Sequence, residues 1–258
     1  MTRRRSVTVG SRNAPVVERI QALKADHPFW GYRRIWAHLR FIDGLVVNRK
    51  RVLRLMRAHD CLVKGSRVLK AKRTPPRPKP RPTMPNQWWG IDMTKVLIPQ
   101  VGWLYLVIVL DWYTKKIVGQ TASLRSTSTD WLTALDQAVN RQFPHGVRDH
   151  GLSLMSDNGC QPTSVAFMKA CHHLGITQAF TSYNNPKGNA DTERVMRTVK
   201  EELLWLREWT SAPELERALA AWVEWYNTRY LHSTLGYRTP CSVEQQYLLS
   251  HSTQSSVA

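Results

Sequence analysis

The sequence predicts an α/β chain: a small all-helical module first, then a mixed sheet with helices on its faces. Three observations carry this. The apolar pattern repeats at helical spacing up to about residue 60 and turns extended near residue 87. The formal charge of +18 on the 258 residues sits entirely in the first third. A proline-rich basic stretch separates the two patterns.

In the front module, Val16, Val17, Ile20 and Leu23 recur at helical spacing within residues 14–26, and Tyr32, Ile35, Trp36 and Leu39 do so within 31–40. A third helix is expected after Asn48, a suitable N-cap. There Val52, Leu55, Met56 and His59 share one face, and Lys50, Arg54 and Arg57 line the opposite one at i, i+4 and i+7. Residues 1–86 hold 22 Lys and Arg against four acids (Glu18, Asp26, Asp43, Asp60), whereas 87–258 hold 15 of each sign. Such a charge calls for a polyanionic partner. An apolar-backed third helix carrying a basic stripe suits a helix-turn-helix module seated in a DNA groove. The competing reading is a solvated basic face. Five Lys and Arg between Arg49 and Arg57, with no acid among them, favour DNA.

Residues 71–85, AKRTPPRPKPRPTMP, hold six prolines and five basic residues. That density blocks helix and central strand and predicts an extended spacer lying along a phosphate backbone. The longest apolar run, Trp103–Leu110, is eight residues, far short of the roughly 20 of a membrane helix. No secretory signal is read at the N-terminus. Cys61, Cys160, Cys171 and Cys241 are scattered, as expected of reduced thiols in a cytoplasmic protein.

Beyond the spacer, residues 88–98, 102–110 and 114–122 read as three strands of an antiparallel meander. A helix over 128–142, a strand over 152–156, a helix over 162–174 opened by Pro162 and closed by Gly175, and a strand over 176–181 follow. The boundaries expected are a helix-turn-helix domain over 1–70, a linker over 71–86, a sheet domain over 87–210, and a helical extension with a disordered tail over 211–258.

Asp92 falls inside a strand, between Ile91 and Met93, where a carboxylate is costly unless its charge is used. Asp157 ends the strand LSLMS, where α/β sheets place ligands. Glu193 opens a helix after 35 intervening residues, an interval that one helix, one strand and one loop account for. Singly, Asp157 reads as a turn cap and Glu193 as a complement to the helix dipole. Together, three carboxylates without a thiol or imidazole cluster favour a hard cation such as Mg²⁺ or Mn²⁺. Two ions roughly 3.5–4 Å apart clamp both oxygens of an in-line phosphoryl displacement. Arg197 and Lys200, four and seven residues after Glu193, share its face. Of the rival acids, Asp111 reads as strand-end structure and Asp191 as the helix N-cap.

The stretches WWGIDMTKV, LDWYTKKIVGQ, SDNGCQPTS and NNPKGNADTERVMRTVKEEL, with the 35-residue interval, resemble the Asp-Asp-Glu transposases and retroviral-type integrases. The nearest look is to the second reading-frame product of the insertion-sequence-three family of bacterial transposons. HPFWGYRRIWAHL resembles that family's upstream helix-turn-helix segment, which puts Arg33 and Arg34 among the expected DNA contacts. YNTRYLHSTLGYRTP resembles its C-terminal signature. The resemblance spans roughly residues 13–247. It implies an RNase H-like core, with Asp92, Asp157 and Glu193 as catalytic ligands of two Mg²⁺ or Mn²⁺ ions and Lys200 as a phosphate-contacting base. It also implies strand cleavage at a transposon end and transfer into target DNA. The expected setting is a homo-oligomer on double-stranded DNA, associated with the nucleoid, with an upstream-frame product as a fusion partner. The competing functions are a DNA-binding regulator whose RNase H-like half is only a scaffold, and a structure-selective nuclease.

Cys171-His172-His173, with Cys160, does not read as a zinc site, because adjacent residues on a helix point apart. Trp205, Trp209, Trp222 and Trp225 read as core packing residues rather than base-stacking platforms.

Overall fold

The computed structural model describes residues 7–63, 80–181 and 188–255 and divides into two compact units. Most of the expected linker lies outside the described residues, as do residues 182–187 of the loop before Glu193.

The first unit contains α1 (Val7–Asp26), α2 (Tyr32–Phe41) and α3 (Arg49–Ala58). Helix α1 starts well before residue 14, because its buried apolar positions begin only at Val16 and the preceding turns give no periodic signal. Val16, Ile20, Leu23, Ile35, Leu39, Val52, Leu55 and Met56 form its core. Asn48 caps α3 as expected, its side chain accepting from the Lys50 N–H at 2.8 Å. His59 is the C-cap and is exposed rather than part of the apolar face. Arg19 closes the unit by a two-point ion pair to Asp43, both bonds 2.9 Å.

Residues Leu231–Tyr237 also belong to this unit. Tyr237 packs edge-on against Trp36 (5.2 Å between centroids) and stacks on Phe41 (5.9 Å). A segment from the far end of the sequence therefore completes the front module. Tyr237→Ala is expected to cost this unit about 1–3 kcal/mol, read as lost hydrogen-exchange protection of α2 in the full chain. Unchanged protection would show that the aromatic trio contributes no stability.

The second unit is built on a five-stranded sheet of order β3-β2-β1-β4-β5. Strands β1 (Trp88–Ile98), β2 (Gly102–Asp111) and β3 (Ile117–Ser123) form the expected antiparallel meander. Strands β4 (Ser153–Ser156) and β5 (Thr177–Phe180) extend the sheet in parallel from β1. The two faces are legible in β2, whose successive side chains alternate sides. Leu104, Leu106, Ile108 and Leu110 pack with α6 (Ala190–Val199) and α7 (Ala212–Arg229). Val107 and Val109 pack with α4 (Ser128–Gln142) and α5 (Val165–His173).

Several boundaries differ from expectation. β3 begins at Ile117, because residues 112–116 are drawn into a turn held by Asp111. α5 is opened by the Ser164 hydroxyl, which accepts from Phe167 N–H, and not by Pro162. Helix α6 does not run on regularly but passes into a π-helical turn, Lys200–Leu204. The C-terminal helix α8 (Pro240–Ser255) extends into the stretch expected to be a disordered tail.

Candidate active site

Strands β1 and β4 run parallel and pair as far as Gly90 opposite Met155. Two residues beyond Gly90 and Met155 stand Asp92 and Asp157. Strand β4 has ended at Ser156 while β1 continues, so both carboxylates emerge where the strands part. Asp92 pairs across β1–β2 with Ile108 and hence faces the α6 side of the sheet.

Helix α6 lies across β1 at Gly90. A Cβ on Gly90 would stand 2.0 Å from Thr192 Oγ1, 2.5 Å from Trp112 Nε1 and 2.7 Å from Asn189 Oδ1. Only glycine allows this approach, and the approach brings the first turn of α6, with Glu193, to Asp92. Asn189 Nδ2 donates to the Ile91 carbonyl at 3.2 Å.

The electrostatics report the convergence. The Asp92 carboxyl is pushed up to about 6, mainly by burial and further by the negative charges of Asp157 and Glu193. The Met93 N–H, which donates to Asp92 Oδ1 at 2.8 Å, and the Lys200 ammonium act the other way. Two carboxylates and one lysine thus act on a single half-buried group. Asp157 is exposed, with Oδ1 accepting from Gly159 N–H at 3.0 Å, and Glu193 is also exposed. Among the described residues no three His, Cys, Asp or Glu side chains are drawn close enough to cage an ion as they stand. The donor set nonetheless fits a hard divalent cation: it is all oxygen, and an added positive charge relieves the mutual repulsion that raises Asp92.

The rival acids are occupied elsewhere. Asp111 is buried and accepts from Asn86 N–H (3.0 Å), Thr114 N–H (2.8 Å) and the Thr114 hydroxyl (2.6 Å). Burial raises its carboxyl and these three bonds oppose the rise. It is strand-end structure, as expected. Asp191 is not the N-cap; Asn189 holds that position, and Asp191 pairs with Lys115 at 2.8 Å.

Among the expected DNA contacts, Lys50, Arg54 and Arg57 are exposed on α3 opposite buried Val52, Leu55 and Met56. Arg33 is exposed, whereas Arg34 is half-buried with its guanidinium over the Trp30 ring. Arg51 is spent within the unit, holding Asn13 Oδ1 at 2.8 Å and the Arg12 carbonyl at 2.9 Å. Lys200 is half-buried, and Arg197 is exposed beside Glu201 at 3.7 Å. Trp209 and Trp222 are buried as expected, but Trp205 is 63% exposed. Cys171 is buried, and burial pushes its thiol up to about 12, while His172 and His173 are exposed. No helix among the described residues is long and apolar enough to cross a membrane.

Sequence reasoning missed Gly90, Asn189, Thr192, Trp112 and Lys115. A signal existed for the first: a glycine inside a strand, two residues before an unexplained Asp, marks close approach of another backbone.

Comparison with known proteins agrees with both halves of the chain. Residues 11–67 match an HTH-like domain, and residues 82–186 and 174–240 match two models of an integrase core domain. The chain is 30% identical to the transposase for insertion sequence element IS629 of Shigella sonnei, over 87% of this chain and 77% of that protein. It is likewise 30% identical to the transposase for IS904 of Lactococcus lactis, over 78% of this chain and 82% of that one. A chain in the cryoEM structure of the simian T-cell lymphotropic virus intasome bound to a PP2A regulatory subunit superposes with a TM-score of 0.54 at 20% identity. It covers 87% of this chain and 73% of that chain, and it shares the fold.

Proposed function

Because this chain belongs to the transposases of insertion sequence elements that carry an integrase core domain, we propose that it cuts a transposon end and joins the exposed 3′-OH to target DNA, with Asp92, Asp157 and Glu193 as the ligands of its metal ions. Within that family we assign it to the insertion-sequence-three group, as a second reading-frame product. The observation that carries the reading is Asp92: a carboxyl inside a strand, pushed up to about 6 by burial and by Asp157 and Glu193 beside it.

The catalytic half has an RNase H-like fold, a mixed sheet with helices on both faces. Asp92, Asp157 and Glu193 would hold divalent cations, Mg²⁺ or Mn²⁺, which would supply Lewis acidity to the reacting phosphate. Asp92 is the ligand set by the sheet, Asp157 the one at the strand end, and Glu193 the one delivered by α6. Lys200, near enough to act on Asp92, holds a phosphate oxygen of the bound strand. In the joining step the 3′-oxygen forms a bond to the target phosphorus, the bond from that phosphorus to its own 3′-oxygen breaks, and no bond to protein forms. Lys50, Arg54 and Arg57 contact phosphates from α3, which makes affinity steeply salt-dependent. Two transposon ends require at least a dimer on DNA.

The test is strand transfer from pre-cut ends with Mg²⁺. Asp157→Asn is expected to lower joined product at least ~100-fold, about 2.7 kcal/mol of barrier, with DNA binding retained. Undiminished joining would remove Asp157 from the site. Binding without cutting in the wild type would make the chain a regulator, and cutting without joining a nuclease.

A further inference from the structure

The turn between β2 and β3 makes two direct contacts with the first turn of α6. Trp112 Nε1 donates to Thr192 Oγ1 at 3.1 Å, with both side chains buried. Lys115 Nζ reaches Asp191 Oδ2 at 2.8 Å and also donates to the Trp112 carbonyl at 2.6 Å. The turn is itself rigidly mounted. Trp112 N–H donates to the Trp88 carbonyl at 2.9 Å, the two indoles stack at 5.8 Å, and Asp111 ties the turn through Thr114. Lys115 has φ of 61°, in the left-handed region.

We propose that Trp112 and Lys115 are positioning residues for Glu193. Asp191 and Thr192 are the two residues before it, and successive helical residues are about 100° apart. Gripping both from one turn fixes the rotation and the height of α6, and with them the direction in which Glu193 leaves the helix. The contact over Gly90 sets how close α6 comes, and the turn sets how it is rotated. Both contacts are made to the two residues before Glu193 and not to its carboxylate. The inference rests on the reading of Glu193 as a metal ligand.

The test uses the full, metal-free chain and measures Mn²⁺ binding by the loss of the free-ion EPR signal, beside strand joining at saturating DNA. Thr192→Val keeps the shape and removes the acceptor; Lys115→Gln removes the ion pair. Each is expected to weaken Mn²⁺ binding about tenfold, the scale of changes to groups that orient metal ligands. Thr192→Ser restores binding, and excess Mn²⁺ recovers joining in Thr192→Val, which a merely structural defect would not allow. Wild-type Mn²⁺ affinity in both folded variants overturns the proposal. If Thr192→Val does not fold, Lys115→Gln decides alone by the same criterion. Asp157→Asn separates the two readings. Loss of Mn²⁺ binding there, with none in Thr192→Val or Lys115→Gln, refutes only the positioning role. No Mn²⁺ binding in the wild type refutes the metal site and the positioning role together.

Discussion

Gly90→Ala is expected to cost the protein about 3 kcal/mol or more of stability and to bring strand joining to background. The added methyl has nowhere to go. It meets the Thr192 hydroxyl at 2.0 Å, the indole nitrogen of Trp112 at 2.5 Å and the Asn189 carbonyl oxygen at 2.7 Å, and all three groups are buried. Real Cβ contacts essentially never fall below 3 Å, so either β1 or α6 must shift, and a packed interior resists shifts of that size. If α6 moves, Glu193 leaves Asp92, and the Trp112–Thr192 and Asn189–Ile91 hydrogen bonds break with it, leaving buried polar groups without partners. The double variant Gly90→Ala/Thr192→Ala removes the nearest obstacle and is expected to recover part of the stability. Joining is not expected to return, since Trp112 and Asn189 still crowd the methyl. Thermal unfolding and the joining assay decide the matter. A Gly90→Ala protein with wild-type melting and wild-type joining would mean that α6 does not sit on β1 as described.

The sheet was legible because its signal is local. The alternation of Leu104, Leu106, Ile108 and Leu110 with Val107 and Val109 marks a strand buried on both faces, and each set packs on its own side. Asp92 was legible as an anomaly: charge inside such a strand has no structural use, and two more acids lay at intervals the fold can close. What escaped depends on pairings that no periodicity encodes. Trp112 and Thr192 are 80 residues apart, and Tyr237 lies about 200 residues from the aromatic pair it packs on. A regular helix through this stretch predicts Trp205 as a packing residue. The turn over Lys200–Leu204 instead closes from the Trp205 N–H to the Lys200 carbonyl at 2.9 Å, five residues back, which changes the phase of everything after it. Asp191 looked like a cap because capping is the local use of Asp at a helix start. Its partner Lys115 is brought by a turn 76 residues away.

Asp92→Asn is expected to lower joining by at least ~10³-fold and, in the same protein freed of metal by a chelator, to raise stability at pH 7 by about 2 to 3 kcal/mol. The two effects have one cause. The native carboxyl titrates near 6, raised chiefly by burial and then by Asp157 and Glu193, against about 3.9 in an unfolded chain. Below about pH 4 both states hold the proton, and the group has no differential effect. Between about 4 and 6 the folded protein keeps a proton that the unfolded chain has released, so stability falls as pH rises, and above about 6 the full penalty is present. Asparagine has the same shape without the charge, so its advantage is absent near pH 4, grows through this window and is complete by pH 7. Divalent cation should narrow the gap, because an ion bound only to the folded wild type stabilises it by mass action and finds one ligand fewer in the variant. Urea unfolding of both proteins at pH 4 and pH 7, with and without Mn²⁺, measures each part. An Asp92→Asn protein less stable than wild type at pH 7 would show that the carboxylate is held by native contacts stronger than the repulsion and burial that raise it, and retained joining would remove Asp92 from the chemistry.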